Sequence, residues 1–85
     1  MSGPKKTLRK VLSESADANI RFDELRSLLN HLGFSERIRG SHHIFKLPGL
    51  GGRIVLARSQ PKARPYQVRE VRDLIRANGL HLEES

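Results

Sequence analysis

Cysteine and tryptophan are absent from the 85-residue sequence, and its aromatic rings amount to one tyrosine and three phenylalanines. Without cysteine there are no disulfides and no thiolate metal sites, so the core has to hold without staples, which suits a reducing cytoplasm. With so few rings, Tyr66 and Phe45 would stack on bases only if exposed, and in a domain this small they are first of all core material. Long apolar runs are missing too. No stretch approaches the ~20 apolar residues of a membrane span. The basic segment Met1 to Leu12 has no apolar run of signal-peptide length, so neither membrane insertion nor secretion is expected.

Acidic residues are also scarce. Nine Asp and Glu stand against sixteen Lys and Arg, a net charge of +7 and a pI near 10.9. Such a balance is the electrostatic footprint of proteins that meet polyanions, with nucleic acid or an acidic partner the natural targets. A solvated surface that keeps the chain soluble is the plainer alternative. The basic excess is spread along the chain, although Arg53, Arg58, Lys62 and Arg64 form a run with no acid among them.

A chain this short makes one domain and buries only about 60 to 65% of its unfolded surface. The mean hydropathy is −0.52, yet the apolar residues are periodic rather than diluted, and periodicity is what a fold requires. Leu8, Val11 and Leu12 suggest one or two turns of helix before a loop over Ser13 to Asn19. Phe22, Leu25, Leu28, Leu29 and Leu32 follow a 3.6-residue period, with Asp23 and Glu24 in the first turn and Gly33 as the stop. From Phe34 to Arg39 the period changes to two and predicts a first strand, broken at Gly40. Ser41 to Leu47 predicts a second strand, with His42 and Ile44 facing one way and His43, Phe45 and Leu47 the other. Pro48 to Gly52 reads as a hairpin turn and Arg53 to Arg58 as a third strand. Pro65 then opens a helix carrying Val68, Val71, Leu74 and Ile75, with Asn78 and Gly79 as its stop.

The expected fold is therefore α+β. Its order is α-β-β-β-α, a three-stranded antiparallel sheet with two helices packed on one face, as in double-stranded-RNA-binding domains. Residues 1–19 would be a basic N-terminal extension, partly helical or flexible, residues 20–80 the domain proper, and residues 81–85 a tail.

Two groups of residues carry chemistry. In Gly40-Ser41-His42-His43, glycine permits close approach of the backbone to a ligand, and histidine is the side chain that titrates near neutrality. Adjacent strand residues face opposite sides, so the two histidines do not chelate one metal ion, and no metal site or cofactor is expected. One histidine at the core rim and the other merely exposed is the bland alternative. The second group is the stripe Arg69, Arg72 and Arg76 with the connector before it. Arg72 and Arg76 form a like-charge i,i+4 pair that a phosphate would relieve, though Asp73 offers ordinary surface pairing.

Leu32-Gly33-Phe34, a basic strand, Gly40-Ser41-His42-His43-Ile44-Phe45, the Pro48-Gly49 turn, and Tyr66-Gln67-Val68-Arg69 with Val71 together resemble the HicA (YcfA-like) family of toxin ribonucleases, from about Ile20 to Leu80. The resemblance implies a double-stranded-RNA-binding-like fold, metal-independent endoribonuclease cleavage of mRNA through a strand-borne histidine, translation arrest, and neutralisation by an antitoxin of the HicB type. Carried onto this sequence, the catalytic candidate is His42, with His43 its rival. Candidate RNA-binding residues are Gly40, Ser41, Lys46, Arg53, Lys62, Arg64, Arg69 and Arg72, among which Lys46, Arg53 or Lys62 would offset charge on the phosphate. Many short members have a Pro and a His after the third strand, where this chain reads Ala57-Arg58-Ser59-Gln60. Two other classes fit the same pattern: a non-catalytic RNA-binding module, and an inactive relative that only binds its partner protein.

Overall fold

The computed structural model describes residues 3–82; the ends of the expected N-terminal extension and C-terminal tail, residues 1–2 and 83–85, lie outside these. Along the chain come α1 (Pro4–Ser13), α2 (Phe22–His31), β1 (Ser35–Arg39), β2 (His42–Lys46), β3 (Arg53–Ala57) and α3 (Pro65–Asn78). The strands make one antiparallel sheet in the order β1-β2-β3.

Local chemistry explains the boundaries. At the start of α2 the Glu24 carboxylate accepts the Arg21 N–H at 2.8 Å, satisfying a backbone donor next to the positive end of the helix dipole. At the start of α3 the Gln67 side chain accepts the Arg64 N–H at 3.0 Å and donates to the Ala57 carbonyl at 2.8 Å. That one amide both caps the helix and ties it to β3. The turn from β1 to β2 is the pair Gly40-Ser41, between the partners Arg39 and His42. Gly40 has φ +59, the value that a two-residue hairpin with glycine in its first position requires.

Alternation sends Phe45, Ile54 and Leu56 inward against Phe22, Leu25, Leu28 and Leu29 of α2 and Val68, Val71 and Ile75 of α3, and all of these are buried in one cluster. The helices thus cover one face of the sheet. The other face carries Ser35, Arg37, Arg39, His42, Ile44, Lys46, Arg53, Val55 and Ala57 and is open, with none of them fully buried.

α1 is longer than its apolar residues suggest and lies against α2 and α3. Val11 reaches the core, and two arginines of α3 hold the helix from the far side. Arg72 donates to both Asp17 carboxylate oxygens, at 2.9 and 3.3 Å, and to the Val11 carbonyl at 3.1 Å. Arg76 donates to Glu14 at 2.9 Å and to the Leu12 carbonyl at 3.2 Å. Cations at a helix C-terminus satisfy its orphan carbonyls and oppose its dipole. Glu14 itself sits at φ 63, a left-handed conformation uncommon for a residue other than glycine, and its ion pair with Arg76 anchors it there.

Candidate nucleic-acid interface

The strand register arranges the open face in three rows across β1, β2 and β3. These are Ser35-Lys46-Arg53, Arg37-Ile44-Val55 and Arg39-His42-Ala57. A shallow depression of about 600 Å³ lies over the β1 side of these rows, bordered by Arg37, Arg39, Lys46 and Arg53 with Ile44 in its floor and Ser35 and Glu36 also lining it. His42 stands beside it at the Gly40-Ser41 end, exposed to solvent. The Arg58 N–H donates to the Ser41 carbonyl at 2.9 Å, which binds that hairpin to the strand end next to it.

Among the described residues no acidic side chain pairs with the cations of this face. Between Glu36 and Glu70 the sequence has no acidic residue, and the Glu36 side chain is held on the helix side of the sheet. There it accepts two hydrogen bonds from Arg26, at 2.6 and 3.2 Å, and one from Asn30 at 3.1 Å. His43 lies on that inner side too. It is 4% exposed, its Nδ1 is 2.7 Å from Glu36 Oε2, and its ring meets Phe22 edge to face at 5.0 Å. Burial would raise the Glu36 carboxyl, but the hydrogen bonds from Arg26, His43 and Asn30 outweigh it and hold it at about 2. Glu36 is therefore ionised at neutral pH and only accepts, so His43 Nδ1 carries the proton that it donates. Beyond Arg26 the network runs on to Asp23, whose carboxyl is lowered by hydrogen bonds from Arg58 and Arg26. The Arg58 guanidinium lies 4.8 Å above the Phe22 ring, a cation–π contact that closes the cluster.

The two histidines singled out by sequence are thus separated by the sheet: His42 faces solvent and His43 is locked inside. Gly40 and Ser41 make the turn beside His42. Lys46 and Arg53 pair across β2 and β3 at the other end of the face. Lys62 lies off the sheet, in a bridge with Arg21, Arg64 donates to the Ser59 hydroxyl at 3.1 Å, and Arg69 is exposed on α3. Arg72 corrects the sequence reading. It is 6% exposed and engaged with Asp17 and Val11, so it belongs to the buried contact between α3 and the α1 region and not to an exposed cationic stripe. The Arg72–Arg76 repulsion is relieved by Asp17 and Glu14 of the α1 region. Sequence reasoning missed Arg37 and Arg39, although the period-two alternation that marks β1 already puts both on one face. Among the described residues no three His, Asp or Glu side chains are grouped to hold a metal ion, and no helix is long and apolar enough to cross a membrane.

Comparison with curated proteins and with solved structures returns no match. The family model described as the HicA toxin of bacterial toxin-antitoxin matches residues 22–80, the stretch from the first residue of α2 to just beyond α3. With the matched span covering most of the chain and the Gly40-Ser41-His42 turn at the edge of its basic face, this protein belongs to the HicA toxin family of bacterial toxin–antitoxin systems.

Proposed function

We propose that the protein is an mRNA endoribonuclease that works without a metal, with His42 as its acid–base group and Gly40 and Ser41 shaping the site. In this reading it acts in the cytoplasm and is held in check by an antitoxin of the HicB type. The observation that carries the reading is the sorting of the histidines: one imidazole is exposed on a face where, among the described residues, no acidic side chain pairs with the cations, while its neighbour is committed to Glu36. Lys46 and Arg53 hold flanking phosphates, and Lys62, Arg64 and Arg69 lie outside the central contact.

In the chemistry, the His42 imidazole takes the proton from a ribose 2′-hydroxyl. The 2′-oxygen bonds to phosphorus, the bond to the 5′-oxygen breaks, and that oxygen takes a proton from the imidazolium or from water. The products are a 2′,3′-cyclic phosphate and a 5′-hydroxyl. Acid–base help of this kind is worth roughly 10² to 10⁴ in rate, enough for a toxin that acts over minutes. DNA lacks the 2′-hydroxyl and is predicted to stay intact.

One observation favours a second reading, a non-catalytic RNA-binding module. The neighbours of His42 in its row are Arg39 and Ala57, so no second acid–base side chain stands beside it on the sheet. Incubating wild type and His42→Ala with a defined mRNA in EDTA decides between them. Fragments from wild type alone support the ribonuclease; intact RNA with a salt-sensitive mobility shift supports the binding module.

A further inference from the structure

Arg39 is the cross-strand partner of His42, and directly opposed residues of an antiparallel pair hold their Cβ atoms roughly 5 Å apart on the same face. Both side chains are exposed. Among the described residues Arg39 has neither an ion pair nor a side-chain hydrogen bond; the nearest acid along the strand, Glu36, points through the sheet to Arg26. On the other flank of His42 stands the small Ala57, so the one charge that shares a row with the imidazole is this guanidinium.

The other cations are worse placed for that position. Lys46 stands four residues along β2 from His42, about 13 Å at the rise of a strand, and Arg53 is its partner on β3. Lys62 lies beside Arg21 at the start of the helix layer. Arg37 is two residues from Arg39 on the same face, about 6.8 Å away, comparable to the separation of successive phosphates along an extended RNA strand.

We propose that Arg39 is a second catalytic residue, its guanidinium gripping the non-bridging oxygens of the phosphate that the 2′-oxygen attacks once His42 has taken its proton, with Arg37 holding the next phosphate of a single RNA strand laid along β1. This rests on the ribonuclease reading. Charge builds on those oxygens as the 2′-oxygen adds to phosphorus, and a guanidinium fork fits two of them at once. No extra proton is moved by Arg39; it stabilises the charge that the His42 step creates. The aliphatic floor of Ile44 and Val55 gives bases no aromatic ring to stack on, so the strand is held by its backbone.

The test is single-turnover cleavage of a short single-stranded RNA by wild type, His42→Ala, Arg39→Ala, Arg39→Lys and Arg37→Ala, with binding measured on the same sequence made uncleavable by 2′-O-methylation. Arg39→Ala is expected to lower the rate at saturating RNA by about 10²- to 10³-fold, the usual loss of a transition-state donor, while affinity for the methylated RNA falls far less. Arg39→Lys recovers part of the rate, and Arg37→Ala raises the half-saturating RNA concentration and lowers the saturated rate far less than Arg39→Ala does. A wild-type saturated rate in Arg39→Ala, alongside an inactive His42→Ala, overturns the role of Arg39 and leaves the ribonuclease reading standing. RNA left intact by wild type overturns both.

Discussion

The two sides of the sheet treat charge in opposite ways. On the helix side each charge near the core has a partner: Glu36 with Arg26 and His43, Asp17 with Arg72, Asp23 with Arg26 and Arg58. On the open side Arg37, Arg39, Lys46 and Arg53 border one depression that Glu36 also lines, but the Glu36 carboxylate is taken up by Arg26 and Asn30 of α2. Paired charges specify how the elements meet, and their removal strands a partner in a poorly solvated place. Like charges gathered on an exposed face gain nothing for the fold, since their mutual repulsion is only screened by salt. In the proposed reading an RNA strand is the ligand that converts that cost into binding.

Arg72→Ala attacks the paired side where it is most buried. It strands Asp17, frees the Val11 carbonyl and removes a packed stem, so a loss of about 3 kcal/mol is expected by denaturant titration. Acid probes the same side at Glu36. Its folded carboxyl is held at about 2, below its ordinary value near 4.5, so its contribution is complete above the unfolded value and is lost as pH falls from about 5 toward 2. Melting temperature is predicted to fall through that window in wild type, and to fall less steeply in an already destabilised Glu36→Gln. Arg76→Ala breaks a more exposed pair and is expected to cost about 0.5 to 1 kcal/mol, read from the same titrations. Smallest on stability are open-face changes. Lys46→Ala or Arg53→Ala should stay within about 0.5 kcal/mol of wild type, yet each should flatten the salt dependence of single-stranded RNA binding by about 0.7 in log–log slope. A cost of several kcal/mol from the open-face variants would erase the contrast.

Much of this contrast is legible in the sequence, and its gaps have a physical pattern. The period of Phe22 to Leu32 marks α2, the alternation in His42 to Lys46 puts the two histidines on opposite faces, and Gly40 and Gly79 mark a turn and a stop, because each signal lies within a few residues. The docking of α1 is carried instead by Arg72 with Asp17 and by Arg76 with Glu14, pairs separated by 55 and 62 residues. No local pattern reveals such partners, and Arg72 therefore reads as a surface cation until the fold is seen. The tie between His43 and Glu36 is of the same kind, since it depends on the β1–β2 register and on Arg26 and Asn30 reaching down from α2. Arg37 and Arg39 differ: their placement follows from β1 alternation alone.

The most direct test of the account compares His42→Ala and His43→Ala in two assays at once, RNA cleavage in EDTA well below the melting temperature and thermal unfolding. The predicted result is that His42→Ala melts with wild type and does not cut, while His43→Ala, which leaves Glu36 without one of its donors, melts several degrees lower and still cuts when folded. A His43→Ala protein that melts like wild type but is inactive, beside a His42→Ala protein that cleaves, would contradict the account.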